Sequence, residues 1–105
     1  MGISELTAIS PVDGRYRCHV DELSAYFSEY SLMKYRVMVE IEYFIALSNI
    51  PLPQLKSIEK SSYERLRNIW LKFGLEDAGK IKEIEKKTNH DVKAVELFLK
   101  QKLDL

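Results

Sequence analysis

The chain holds little that would staple, anchor or charge it. A single cysteine, Cys18, occurs among 105 residues, so no internal disulfide can form and a reducing compartment is the natural setting. Lysine plus arginine equals aspartate plus glutamate at 16 each. The net charge is therefore zero, which argues against a dedicated nucleic-acid binder with its usual basic excess. No segment carries the roughly 18 uncharged apolar residues that a membrane span requires. The opening MGISELTAIS has neither a basic region nor a long apolar run and is not a secretory signal. As a lipidation signal, Met1-Gly2 followed by Glu5 and Leu6 is weak. The 46% apolar content is too high for disorder. These absences leave a cytosolic helical domain, or a piece of a larger one, whose core must be compact or completed by another body.

Helical periodicity dominates what is present. Residues up to Gly14 read as irregular, with Pro11 and Asp13-Gly14 as turn chemistry. From Asp21 a helical rhythm begins with Leu23, Tyr26, Phe27 and Tyr30. It continues through Leu32, Met33, Val37, Ile41, Phe44 and Ile45, while Val39, Tyr43 and Leu47 widen the apolar face and predict packing on several sides. Pro51 and Pro53 break the pattern. A third helix carries Tyr63, Leu66, Ile69, Trp70 and Phe73, with Gly74 as its expected C-terminal cap. A short charged helix follows with Ala78, Ile81 and Ile84. The last begins near Asp91 and bears Val92, Val95, Phe98, Leu99 and Leu103 on one stripe. That rhythm is still running at Leu105, which suggests truncation. There is no β-alternation of useful length and no repeat. The expected fold is all-α: an irregular N-terminal segment followed by packed helices.

Two polar clusters stand apart from the apolar pattern. The first is Thr88-Asn89-His90-Asp91, ahead of the last helix. Thr88 and Asp91 fit a capping box, and an acid suits the positive end of a helix dipole. A cap does not use His90, and four polar residues leave donors and acceptors to spare. A metal site would need several ligands, whereas the only other histidine is His19 and no Cys or His set accompanies it. A polar pocket wall at a helix N-terminus, where free N–H groups favour an anion, is the third reading. The second cluster is SPVDGRY. Arg15 follows a tight turn and can hold phosphate or carboxylate bidentately, and Tyr16 adds a hydroxyl and a stacking face; alone, the same residues would also suit a plain surface turn.

Other tempting residues have ordinary explanations. Cys18 beside His19 has no third group to make a nucleophile. The aromatics Tyr26, Phe27, Tyr30, Phe44, Trp70 and Phe73 are expected in the core. Lys80, Lys82, Lys86 and Lys87 interleave with Glu83 and Glu85 and read as a solvated helix face with i,i+4 pairing.

The stretches LTAISPVDGRY, FSEYSLMKYRVMVEIEYF and KTNHDVKAVELFLK, in this order and spacing, closely resemble the N-terminal domain of the bacterial adenylosuccinate lyases, within the fumarase/aspartase superfamily. The likeness covers essentially the whole chain and is loose between Leu52 and Leu75. It implies that residues 1–105 are that N-terminal domain, without the central and C-terminal domains. It also implies a cytoplasmic homotetramer of purine biosynthesis that cleaves adenylosuccinate to AMP and fumarate. The same cleavage is implied for succinyl-aminoimidazole carboxamide ribotide, with no metal or organic cofactor. By the family pattern Arg15 and Tyr16 contact the nucleotide, with Arg15 on the phosphate, and Asn89, His90 and Asp91 line the substrate pocket. There His90 would position substrate while Asp91 orients it or caps the helix, and the neighbouring carboxylate could favour imidazolium. The family's catalytic histidine acid and mobile-loop serine base lie in the central domain, and the loop signature SSxMPxKxNP is absent from this sequence. The expectation is a substrate-binding wall with no catalytic residues and no lyase activity alone. The alternative is a helical interaction domain without chemistry.

Overall fold

Twenty consecutive residues without glycine or proline, Glu29–Ser48, form the longest helix, α3, about 30 Å long at the usual helical rise. Ser28 starts it. Its backbone is extended at ψ 161°, and its hydroxyl accepts the Ser31 N–H at 3.2 Å, an N-cap bond. The end comes as the sequence requires, just ahead of Pro51, which disfavours helix in the residue before it. The structure, a computed structural model, describes residues 4–51 and 59–103; Met1, Gly2, Pro53 and Leu105, which figure in the sequence reading, lie outside them. All regular elements among the described residues are helical.

The chain divides into two units, Met1–Leu32 and Met33–Leu105. In the first, α1 (Arg17–Val20) and α2 (Ser24–Phe27) are single turns joined by a 3₁₀ turn at Asp21–Leu23. Helices this short gain little from propagation and depend on side-chain hydrogen bonds. Ser31, buried in this unit, donates its hydroxyl to the Ser24 carbonyl at 2.7 Å.

The second unit contains the core. Met33, Val37, Ile41 and Ile45 recur every four residues on one face of α3 and are buried. Leu66 comes from α4 (Tyr63–Leu71), and Phe73 from the link that follows. Ala78 and Ile81 come from α5 (Leu75–Thr88), and Ala94, Val95, Phe98 and Leu99 from α6 (Asp91–Leu103). Phe73 meets Phe98 edge-on, ring centres 6.0 Å apart, a favoured aromatic geometry. Polar contacts sit around this core. Arg67 Nε donates to both Glu42 oxygens at 3.0 Å, and the Tyr63 hydroxyl donates to Asn49 Oδ1 at 2.9 Å.

Several expectations need correction. Gly74 does not cap α4, which closes at Lys72; Gly74 is the N-cap of α5, and its N–H donates to Asp77 Oδ2 at 3.0 Å. Of the aromatics expected in the core, Phe73 is buried, whereas Tyr26, Phe27 and Phe44 are exposed and Tyr30 and Trp70 half-buried. Val39 and Tyr43 widen the apolar face of α3 in sequence but stand exposed on it. The charged face of α5 does pair internally, at three-residue rather than four-residue steps: Lys82 with Glu85 at 3.2 Å and Lys86 with Glu83 at 2.9 Å. No helix among the described residues is long and apolar enough to cross a membrane.

Candidate functional site

The turn between α5 and α6 uses all four of its polar residues. Asn89 ends α5 in the left-handed region at φ 53°, ψ 29°, a conformation asparagine tolerates better than most side chains. Its N–H donates to the Glu85 carbonyl at 2.7 Å. The Thr88 hydroxyl accepts the His90 N–H at 3.2 Å and lies 3.2 Å from the His90 carbonyl, so it closes the turn. Thr88 is thus the last residue of α5 and does not form a capping box with Asp91.

His90 is the residue that starts α6. Its carbonyl accepts the Ala94 N–H at 3.0 Å, the first bond of the helix. Its ring Nδ1 accepts the Lys93 N–H at 3.1 Å, so an imidazole does the work usually done by a Ser or Asp oxygen at an N-cap. An accepting nitrogen carries no proton. In this arrangement Nδ1 is the acceptor and Nε2 is the ring nitrogen left to donate. Nε2–H has no partner among the described residues, which leaves one directed donor at an exposed position.

Asp91 is divided between two partners. Oδ1 accepts the Val92 N–H at 2.9 Å, and Oδ2 pairs with Arg36 Nη1 of α3 at 3.0 Å. The Val92 N–H and then the Arg36 charge hold its carboxyl below the usual value. The N–H groups of Val92 and Lys93 are thereby taken by side chains. The helix end is consequently less an open anion site, as sequence suggested, than a scaffold that aims His90. Asn89 also borders a polar depression of about 420 Å³ lined by Lys82, Glu85 and Lys86.

Arg15 and Tyr16 belong to the first unit and are presented by a loop that Asp13 organises. The Asp13 carboxylate accepts the Ser10 N–H at 2.8 Å and the Ile9 N–H at 3.3 Å. The Ser10 bond is the main reason its carboxyl titrates lower than usual. Tyr16 N–H donates to the Pro11 carbonyl at 2.9 Å. The Arg15 guanidinium lies 4.6 Å from the centre of the Tyr16 ring, a cation–π stack with both groups exposed. Gly14 is required by close approach: a Cβ there would meet the Glu5 carbonyl oxygen at 3.0 Å. Among the described residues no group of three His, Cys, Asp or Glu side chains clusters to hold a metal.

Known proteins give these two clusters a context. No protein-family model matches the chain. The chain is 57% identical over 103 residues, 96% of its length, to the adenylosuccinate lyase of Dictyostelium discoideum. It is 47% identical over 97% of its length to that of Legionella pneumophila strain Corby, and 46% over 98% to that of Escherichia coli K12. All three relatives carry the name adenylosuccinate lyase. The chain spans only 22–23% of the length of these relatives.

Two residues that shape the candidate clusters carry little signal in the sequence. Asp13 was visible as turn chemistry, but its role in fixing the Arg15 loop was not. Arg36 stands in the quoted stretch FSEYSLMKYRVMVEIEYF with nothing local to link it to Asp91.

Proposed function

We propose that residues 1–105 form the N-terminal, substrate-binding domain of an adenylosuccinate lyase. On this reading the full-length protein removes fumarate from adenylosuccinate, leaving AMP, and from succinyl-aminoimidazole carboxamide ribotide, in purine biosynthesis. It works as a cytoplasmic homotetramer without a cofactor. The observation that carries this reading is 57% identity across 96% of the chain to a lyase of that name. A general base takes the proton beside a substrate carboxylate, and a general acid protonates the leaving nitrogen; both belong to the rest of the enzyme. The intermediate places extra negative charge on the carboxylate, so fixed donors around it matter. Arg15 holds the phosphate and Tyr16 the nucleotide, while Asn89, His90 and Asp91 form one wall. The Nε2–H of His90, unpartnered among the described residues, is suited to a carboxylate oxygen.

The 105-residue chain mixed with adenylosuccinate is expected to release no fumarate, and turnover above background would overturn that part of the reading. In the full-length enzyme the informative change is His90→Asn, because asparagine retains the N-cap and withdraws the Nε2 donor. A hydrogen bond to a charged group is worth about 1.5–3 kcal/mol, so kcat/KM should fall roughly 10- to 100-fold with the fold intact. The rival, a helical interaction domain without chemistry, draws on the exposed Val39 and Tyr43 of α3; it requires near-native kinetics in that variant.

A further inference from the structure

The aim of His90 depends on more than its own turn. The first turn of α6 is exposed, and inside the turn only local hydrogen bonds hold it. Helix ends of this kind fray. One turn on, Ala94 and Val95 are fully buried and fix the body of the helix. On the facing element, Met33 and Val37 are buried on either side of Arg36 and fix that part of α3. The Arg36–Asp91 pair at 3.0 Å spans from the one to the other. It joins the exposed first turn of α6 to a helix that is itself set in the core.

We propose that Arg36 is a positioning residue of the substrate wall, acting through Asp91 to fix the start of α6 and so the direction of the His90 Nε2–H. The proposal rests on the lyase reading above. Asp91 is one residue from His90, and its other oxygen accepts the Val92 N–H, so a shift of Asp91 moves the first turn as a whole. The pair also answers an electrostatic difficulty. The substrate is a dicarboxylate carrying a phosphate, and a bare Asp91 carboxylate beside it would repel it. The guanidinium removes that repulsion and, being planar with further N–H groups, can do so without leaving its place.

Magnitudes separate this role from a stabilising one. Both side chains are substantially exposed, at 38% and 54%, and pairs of that kind contribute little to folding. Losing the pair should thus leave the melting temperature almost unchanged. A displacement of about 1 Å at a positioning group, by contrast, can cost up to about 100-fold in rate.

The test uses the full-length lyase and the variants Arg36→Met, Arg36→Lys, His90→Asn and the double Arg36→Met/His90→Asn, with kcat and KM from fumarate release and a thermal melt of each. Methionine retains the apolar stem and removes the ion pair; lysine retains a charge that can reach Asp91. The expected result is a 10- to 100-fold fall in kcat/KM for Arg36→Met, substantial recovery in Arg36→Lys, and a double variant no worse than His90→Asn. Near-native kinetics in Arg36→Met beside an impaired His90→Asn would overturn the proposal and leave the lyase reading standing. Multiplying effects in the double variant would also overturn it, because Arg36 would then act on substrate without His90. Native kinetics in His90→Asn would remove the site reading and this proposal with it.

Discussion

The two units of the chain are held by different forces. Among the described residues, all twelve buried apolar side chains, from Met33 to Leu99, lie in the second unit. In the first, Leu6 is 96% exposed, Ile9 98% and Phe27 75%. Its loop is joined instead by hydrogen bonds among Ser4, Thr7, Ser10, Asp13 and the backbone. A buried apolar side chain contributes about 1.5–3 kcal/mol, whereas an intramolecular hydrogen bond nets about 1 kcal/mol, and less where water competes for both ends. The two candidate clusters inherit that difference. Arg15 and Tyr16 ride on a hydrogen-bonded loop. His90 rides on a helix whose next turn is in the core.

Removing core volume should break the comparison most visibly. Phe98 is 1% exposed and packs edge-on against Phe73. Phe98→Ala should cost about 3–5 kcal/mol, a large part of what a small domain possesses, and lower the melting temperature by roughly 15 °C or more. Ile9→Ala in the first unit should change stability by no more than about 0.5 kcal/mol. Thermal melts followed by circular dichroism decide it. Comparable losses in the two variants would mean that the first unit has a core of its own.

That contrast also explains what could be read from sequence. Val95, Phe98 and Leu99 share a stripe and are buried, whereas Val92 and Leu103 of the same stripe are exposed; α6 starts at Asp91 as its spacing requires. Tyr26, Phe27 and Phe44 have the same helical spacing and are exposed. Periodicity reports which residues share a face and says nothing about what covers it. Gly74 was misread for a related reason. Glycine suits both helix ends, and the deciding feature was Asp77 three residues on, which receives its N–H. At the candidate site, sequence supplied the residues but not their division of labour. That His90 caps with its ring, and that Asp91 is tied to Arg36 on a different helix, depends on backbone conformation and a long-range contact that no local spacing encodes.

A smaller effect is expected at Gly14. A Cβ would meet the Glu5 carbonyl oxygen at 3.0 Å and the Ala8 Cβ at 3.1 Å. In a packed core such overlap costs about 1–3 kcal/mol, but this loop is open to solvent and can yield, so Gly14→Ala should fall at the low end. The mark should be local: amide chemical shifts change across Ser4–Ala8 and at Arg15. Unchanged shifts across Ser4–Ala8 would mean that the added Cβ meets no resistance there.

The finest distinction lies in two carboxylates. Asp13 and Asp91 are both held below the ordinary value, Asp13 chiefly by the Ser10 N–H and Asp91 chiefly by the Val92 N–H, with Arg36 adding its charge. A depressed native value means that the unfolded chain binds the proton more readily. Each group therefore stabilises the fold above the usual carboxylate range, and loses that contribution as pH falls through its depressed native value. Asp91 is exposed and Asp13 half-buried, and the causes of the two shifts differ in a measurable way. Salt screens the Arg36 charge and leaves short backbone hydrogen bonds largely untouched. In a carboxyl-carbon NMR titration, added salt should raise the midpoint of Asp91 and leave that of Asp13 nearly fixed, and Arg36→Met should do the same at low salt. Equal movement of both midpoints would mean that Arg36 contributes little at Asp91, and that the start of α6 is held by its own turn alone.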